Sequence, residues 1–126
     1  MYPDDRLYSK EHEWVRLEGE EVVLGITHFA QDELGEVVFV ELPELGQSFE
    51  IGDEIGTIES VKAVAELYTP VPGEVIASNK ELLEAPEKVN EDPHGEAWLV
   101  RLKPASDFDT AELMSAEKYQ EFIEAG

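Results

Sequence analysis

The chain has 126 residues and a formal net charge of -21, with 30 Asp plus Glu against 9 Lys plus Arg, and it has no cysteine. That length suits one ordinary domain, and 42% hydrophobic residues suit a folded protein rather than a disordered one. The charge makes nucleic acid and anionic membrane poor partners and favours basic protein surfaces, while the missing thiol excludes disulfides, thiolate metal sites and cysteine nucleophiles.

Residues Met1 to Lys10 show no signal or transit pattern, and no segment is long and apolar enough to span a membrane, so the cytoplasm is the expected compartment. Strand-like runs follow at Glu13 to Leu17, Glu21 to Ile26, Glu36 to Leu42, Glu54 to Ser60, Ala63 to Tyr68, Glu74 to Ser78 and Ala97 to Leu102. Short strands at this spacing, closed by Gly19, Gly52-Asp53 and Pro70-Val71-Pro72-Gly73, predict an all-β sandwich or barrel. Glu36 to Leu42 reads as a buried strand, and in Ala97 to Leu102 the larger side chains of Trp98, Val100 and Leu102 share one face.

Three helices are predicted. Thr27 is placed to cap one holding Phe29 and Leu34, with Gly35 as its exit residue. Ser78 and Glu81 have the spacing of a capping box ahead of Leu82 and Leu83. Asp109 and Glu112 repeat that spacing before Tyr119, Phe122 and Ile123, which recur at helical intervals. A faint repeat relates Gly52-Asp53-Glu54-Ile55 to Gly73-Glu74-Val75-Ile76 and hints at two similar half-barrels.

Lys62 is the only cation between Leu17 and Asn79, a stretch rich in acids. It sits between two strand-like runs, at or beside the tip of a tight hairpin, with its amine projecting into water. A lysine there can simply keep an edge soluble, but a primary amine is also what amide formation with an activated carboxyl group requires. His12, His28 and His94 are scattered and match no HExxH string, and Asn90 to Gly95 lacks the ligand pattern of a calcium loop. Gly52 and Gly56 read as turn and bulge residues rather than a phosphate cradle.

The string GDEIGTIESVKAVAELYTPVPGEV resembles the attachment hairpin of lipoyl and biotinyl carrier domains. Val61 and Ala63 stand where biotin carriers usually have methionines, which favours lipoate. YSKEHEWV, GIT with FAQ, LGEVVFVELP, ESVKA, PVPGEV, VNEDPHG and WLVRLKP follow in one order from about Tyr8 to Ile123, and together they resemble the glycine cleavage system H proteins.

That resemblance implies a mainly β fold over residues 1–126, a flattened barrel of two antiparallel sheets (a barrel-sandwich hybrid) with short peripheral helices and a C-terminal helix. It implies lipoate bound as an amide on Lys62, within the hairpin residues Glu59, Ser60, Val61 and Ala63, and a monomeric carrier with no catalytic residues. The arm would take the aminomethyl group of glycine from a pyridoxal-phosphate glycine decarboxylase to a tetrahydrofolate-dependent aminomethyltransferase, then meet an FAD-containing dihydrolipoyl dehydrogenase. A lipoate ligase or an octanoyltransferase would load it.

Glu13 and Glu66 match acidic positions that shelter the loaded arm in a surface cleft, Glu66 replacing the usual aspartate. Glu11, Glu33, Val64, Ala65, His28, His94 and Ala97 depart from the family's commoner residues, so the shelter is expected to differ in detail. An H-like carrier serving lipoate relay or redox-linked signalling is the alternative reading.

Overall fold

The computed structural model describes residues 2–105, 110 and 113–125. The elements run β1 (Leu7–Tyr8), β2 (Glu13–Glu18), β3 (Glu21–Ile26), α1 (His28–Leu34), β4 (Val37–Glu41), β5 (Ser48–Phe49), β6 (Glu54–Ser60), β7 (Val64–Tyr68), β8 (Gly73–Ser78), α2 (Glu81–Glu84), α3 (Lys88–Glu91), β9 (Val100–Pro104) and α4 (Ala116–Ala125). A six-stranded sheet has the order β1-β2-β3-β9-β8-β5, and a three-stranded sheet has the order β4-β6-β7. All strand pairs are antiparallel. The expected pair of antiparallel sheets, short helices and C-terminal helix is present, but the sheets remain open rather than joining into one hydrogen-bonded barrel.

Alternation along the strands explains two apolar cores. Val15, Val22 and Leu24 point into the main core with Val40, Ile55, Ile58 and Leu102. Trp14 and Val23 point to the opposite face of the six-stranded sheet, where Tyr8, Ala116 and Tyr119 cover them. The Trp14 indole donates to the Pro93 carbonyl at 2.9 Å, and a Cβ on Gly25 would lie 2.4 Å from its ring, so only glycine fits beside it. Arg6 stacks on the same indole, its guanidinium carbon 4.5 Å from the ring centroid.

Several local expectations change. Thr27 caps α1 as predicted, accepting from the Ala30 amide at 3.2 Å, while the exit residue Gly35 has φ 80 with ψ -154, outside the left-handed helical well. The Ser78–Glu81 capping box does not form: Ser78 Oγ donates to the Pro43 carbonyl, and Lys80 precedes α2 without a side-chain cap. The box at Asp109 and Glu112 lies outside the described residues, whereas the helix beyond it is α4. The last strand starts at Val100 rather than Ala97, and Trp98 does not share the core of Val100 and Leu102: Leu99 joins them in the main core while Trp98 packs against the second. The two glycines of the faint repeat differ in role, since Gly52 is a positive-φ turn residue and Gly73 is a strand residue packed on the Lys103 carbonyl.

The largest correction concerns β4. Only Val37 and Val40 are buried, while Val38 and Phe39 face solvent. The ladder from β4 to β6 shifts register between Val37 and Phe39, and this irregularity breaks the alternation that an unbroken apolar run conceals.

Candidate functional site

The β6-β7 hairpin is built by one serine. Glu59 pairs with Val64 as the last ladder partners, leaving Ser60 to Ala63 to reverse the chain. Ser60 Oγ accepts from the amides of Lys62 at 3.3 Å and Ala63 at 3.0 Å, and the Ser60 amide donates to the Ala63 carbonyl at 2.8 Å. The hydroxyl thus satisfies two turn amides without glycine or a positive φ. Glu59, Val61, Lys62 and Ala63 are all exposed, and Ser60 is buried beneath them.

The tip is seated rather than loose. The Val61 amide donates to the Glu36 carbonyl at 3.0 Å, and the Lys62 stem runs over Gly35, where an added Cβ would sit 3.3 Å from Lys62 Cε. Asn90 fixes the seat from behind: its side-chain nitrogen donates to the Gly35 backbone carbonyl and to Gln31 Oε1, and its oxygen accepts from the Val37 amide at 2.9 Å. Among the described residues, the ion pairs engage Arg6, Arg16, Lys88 and Arg101, and Lys62 joins none of them. The amine therefore stands in water, free of a carboxylate that would compete with a reagent.

At the other end of β7, about 13 Å away at the usual rise of an extended strand, lies a pocket of about 750 Å³ lined by residues that include Ser9, Glu11, Glu13, Ile51, Tyr68 and Pro70. Glu13 is 5% exposed. Its carboxylate oxygens accept from Ser9 Oγ at 3.1 Å and from the Tyr68 amide at 3.0 Å. Desolvation outweighs those bonds and pushes its pKa up to about 8, so near neutral pH the carboxyl retains its proton unless a cation arrives. Glu66, exposed and outside the pocket lining, accepts from the hydroxyl of Tyr68, which does line it, and this bond raises the Tyr68 pKa.

The structure thus brings Glu13 and Glu66 to the two ends of Tyr68 and sets Lys62 apart from both, at the far end of the strand. Sequence reading missed Tyr68 and Gly35. The spacing of Glu66 and Tyr68 by two on one strand was a usable signal, because such residues share a face. Gly35 gave none beyond helix termination. The three histidines play structural parts: His12 Nδ1 meets the Tyr119 hydroxyl at 2.8 Å, His94 Nε2 accepts from the His28 amide, and His28 Nδ1 lies against the Gln31 side chain. No group of three metal-binding side chains occurs among the described residues.

A family model described as Glycine cleavage H-protein matches residues 6–126. The glycine cleavage system H protein of Oceanobacillus iheyensis is 52% identical over 122 residues, covering 97% of each chain. That of Herpetosiphon aurantiacus is 54% identical over 123 residues, covering 96% of this chain and 92% of the relative. The crystal structure of a glycine cleavage system H protein from Mycobacterium marinum superposes with a TM-score of 0.89 at 34% identity, covering 97% of this chain and 98% of that one. With a seated hairpin lysine, a pocket holding the buried Glu13 and these relatives across nearly its whole length, the chain belongs to the glycine cleavage H-protein family.

Proposed function

We propose that residues 1–126 act as one lipoyl carrier whose attachment point is Lys62, and that the chain shuttles the aminomethyl group of glycine within the glycine cleavage system. The observation that carries this reading is the Lys62 amine, exposed and without an ion pair among the described residues, at the tip of a hairpin held by Ser60 and seated on Gly35. Loading requires the neutral amine to attack the carbonyl carbon of an activated acyl group. A C–N bond forms, the bond to the leaving group breaks, and the amine gives up a proton to solvent.

The residues fit the group in kind. An amide on Lys62 removes a charge that pairs with no carboxylate among the described residues, and the exposed hairpin gives open approach to a ligase or an octanoyltransferase. When bound, lipoate supplies the disulfide and thiol chemistry that a chain without cysteine lacks. Glu13 in the pocket lining, and Glu66 bonded to the lining residue Tyr68, supply acidic oxygens suited to a cationic end group. The chain contributes tethering and shelter, while glycine decarboxylase with pyridoxal phosphate, the tetrahydrofolate-dependent aminomethyltransferase and the FAD-containing dihydrolipoyl dehydrogenase contribute the chemistry.

The net charge of -21 suits docking on basic enzyme surfaces by a monomer in the cytoplasm, and no described helix is long and apolar enough to cross a membrane. Intact mass and peptide mapping test the assignment. One lipoyl adduct is expected on Lys62, and Lys62→Arg is expected to abolish both the adduct and glycine decarboxylase exchange. An adduct retained by Lys62→Arg, or mapped to another lysine, overturns it.

A further inference from the structure

The outer face of the three-stranded sheet carries a row of side chains that the shuttle role does not use. Ladder register places Phe39 beside Glu59 and Glu59 beside Val64, so the three lie side by side across β4, β6 and β7. Phe39 is 50% exposed and Val64 63% exposed, and Val61, 68% exposed, extends the apolar strip towards Lys62. The next outward row is Glu41, Thr57 and Glu66, while the intervening row of Val40, Ile58 and Ala65 faces the core. Water thus meets an aromatic ring and two valines near the hairpin tip, with Glu59 between Phe39 and Val64 and with Glu41 and Glu66 in the next outward row, on a chain with 31% charged residues.

We propose that this face, centred on Phe39, Glu59 and Val64, is the docking surface for the enzyme that acylates Lys62, an enzyme presenting an apolar patch rimmed by lysine or arginine. The proposal rests on Lys62 being the attachment point. Two arguments select the occupant. The acylating enzyme must bring its carbonyl carbon into contact with the amine itself, so its footprint has to cover the surface next to the tip. Enzymes that use the dithiolane meet it beyond an amide and an aliphatic chain, and have no need of the row beside the lysine. The rim sign follows from Glu41, Glu59 and Glu66, which repel an acidic partner and steer a basic one. A half-exposed aromatic residue such as Phe39 is also the type of side chain that dominates interface energetics.

The test uses the full-length unmodified protein and a lipoate ligase supplied with lipoate and ATP. Phe39→Ser/Val64→Ser removes the strip from an exposed face, and Leu17→Ser, on the other sheet, is the matched control at 52% exposure. The double variant is expected to bind the ligase about tenfold more weakly by calorimetry and to lose about tenfold in kcat/KM for loading, with an unchanged melting curve. Glu59→Lys is expected to weaken binding in the same direction, and Leu17→Ser to match wild type. Lys62→Arg, which keeps the face, is expected to bind like wild type without being loaded.

Wild-type binding and loading by the double variant and by Glu59→Lys would overturn the proposal and leave the attachment assignment standing. Double-variant protein driven to full loading is expected to serve glycine decarboxylase normally, and an equal tenfold loss there would overturn the choice of the acylating enzyme as occupant. Loading at a lysine other than Lys62 would instead overturn the reading on which the proposal rests.

Discussion

The two ends of β7 solve opposite problems with the same strand. At one end Lys62 is held in water on a turn closed by a serine hydroxyl, and every device there, from Ser60 to Gly35 to Asn90, fixes backbone while leaving the charge solvated. At the other end Glu13 is withdrawn from water, and its bonds to Ser9 and the Tyr68 amide compensate only part of the lost hydration. On the roles proposed above, the contrast is that the group to be modified is left open to approach, whereas the one that would meet a cation is costly to ionise in its absence.

Glu13→Gln probes the difference most strongly. Its folded pKa of about 8 lies above the unfolded value near 4.5, so its contribution to stability is complete below the unfolded value and is lost as pH rises through about 8. Gln keeps an oxygen for the Tyr68 amide and an NH₂ donor for Ser9 Oγ. The variant is therefore expected to lose less stability than wild type between those pH values, by a margin on the order of a few kcal/mol, in urea unfolding at matched pH. Parallel wild-type and variant curves would mean that Glu13 ionises in the fold at no special cost. Loading at Lys62 is expected to be unaffected.

At the tip, Gly35→Ala meets both a φ of 80 with ψ -154 and the Lys62 stem. The backbone conflict predicts a loss of about 1–3 kcal/mol in denaturant unfolding, together with slower loading. Full stability in that variant would show that the α1 exit can relax and that the seat is softer than described. The smallest effect belongs to Glu66→Gln, since the residue is exposed and Gln still accepts from the Tyr68 hydroxyl. A stability change within about 0.5 kcal/mol is expected, with at most a small loss in loading rate from the missing rim charge and a shorter lifetime of the aminomethyl-loaded protein. An unchanged lifetime would remove Glu66 from the shelter.

Much of this was legible in the chain because its signals were local. Thr27 three residues before Ala30, a lone lysine between two matched strands, and the Pro-Gly turn after Tyr68 each act within a few residues. What escaped was set by tertiary partners. Val38 and Phe39 read as core because nothing in an apolar run announces a register shift, which only pairing with β6 reveals. Ser78 has the spacing of a cap but is claimed by the Pro43 carbonyl, 35 residues away in sequence. β1 and β5, two residues each, are too short to carry a period and exist because a neighbouring strand recruits them. For the cleft, Glu13 was visible as a residue but its burial was not, since that depends on β7 arriving beside Ser9.

Asn90 sets an order of events during synthesis. The β6-β7 hairpin closes within its own short stretch of chain, but the bonds that anchor its seat join Asn90 to Val37 and Gly35 across 53 and 55 residues. Long-range closure comes after local closure, and the ribosome releases Asn90 later than the hairpin. A nascent polypeptide thus exposes its lysine on a hairpin whose seat still lacks the Asn90 anchor, and only the finished one adds it.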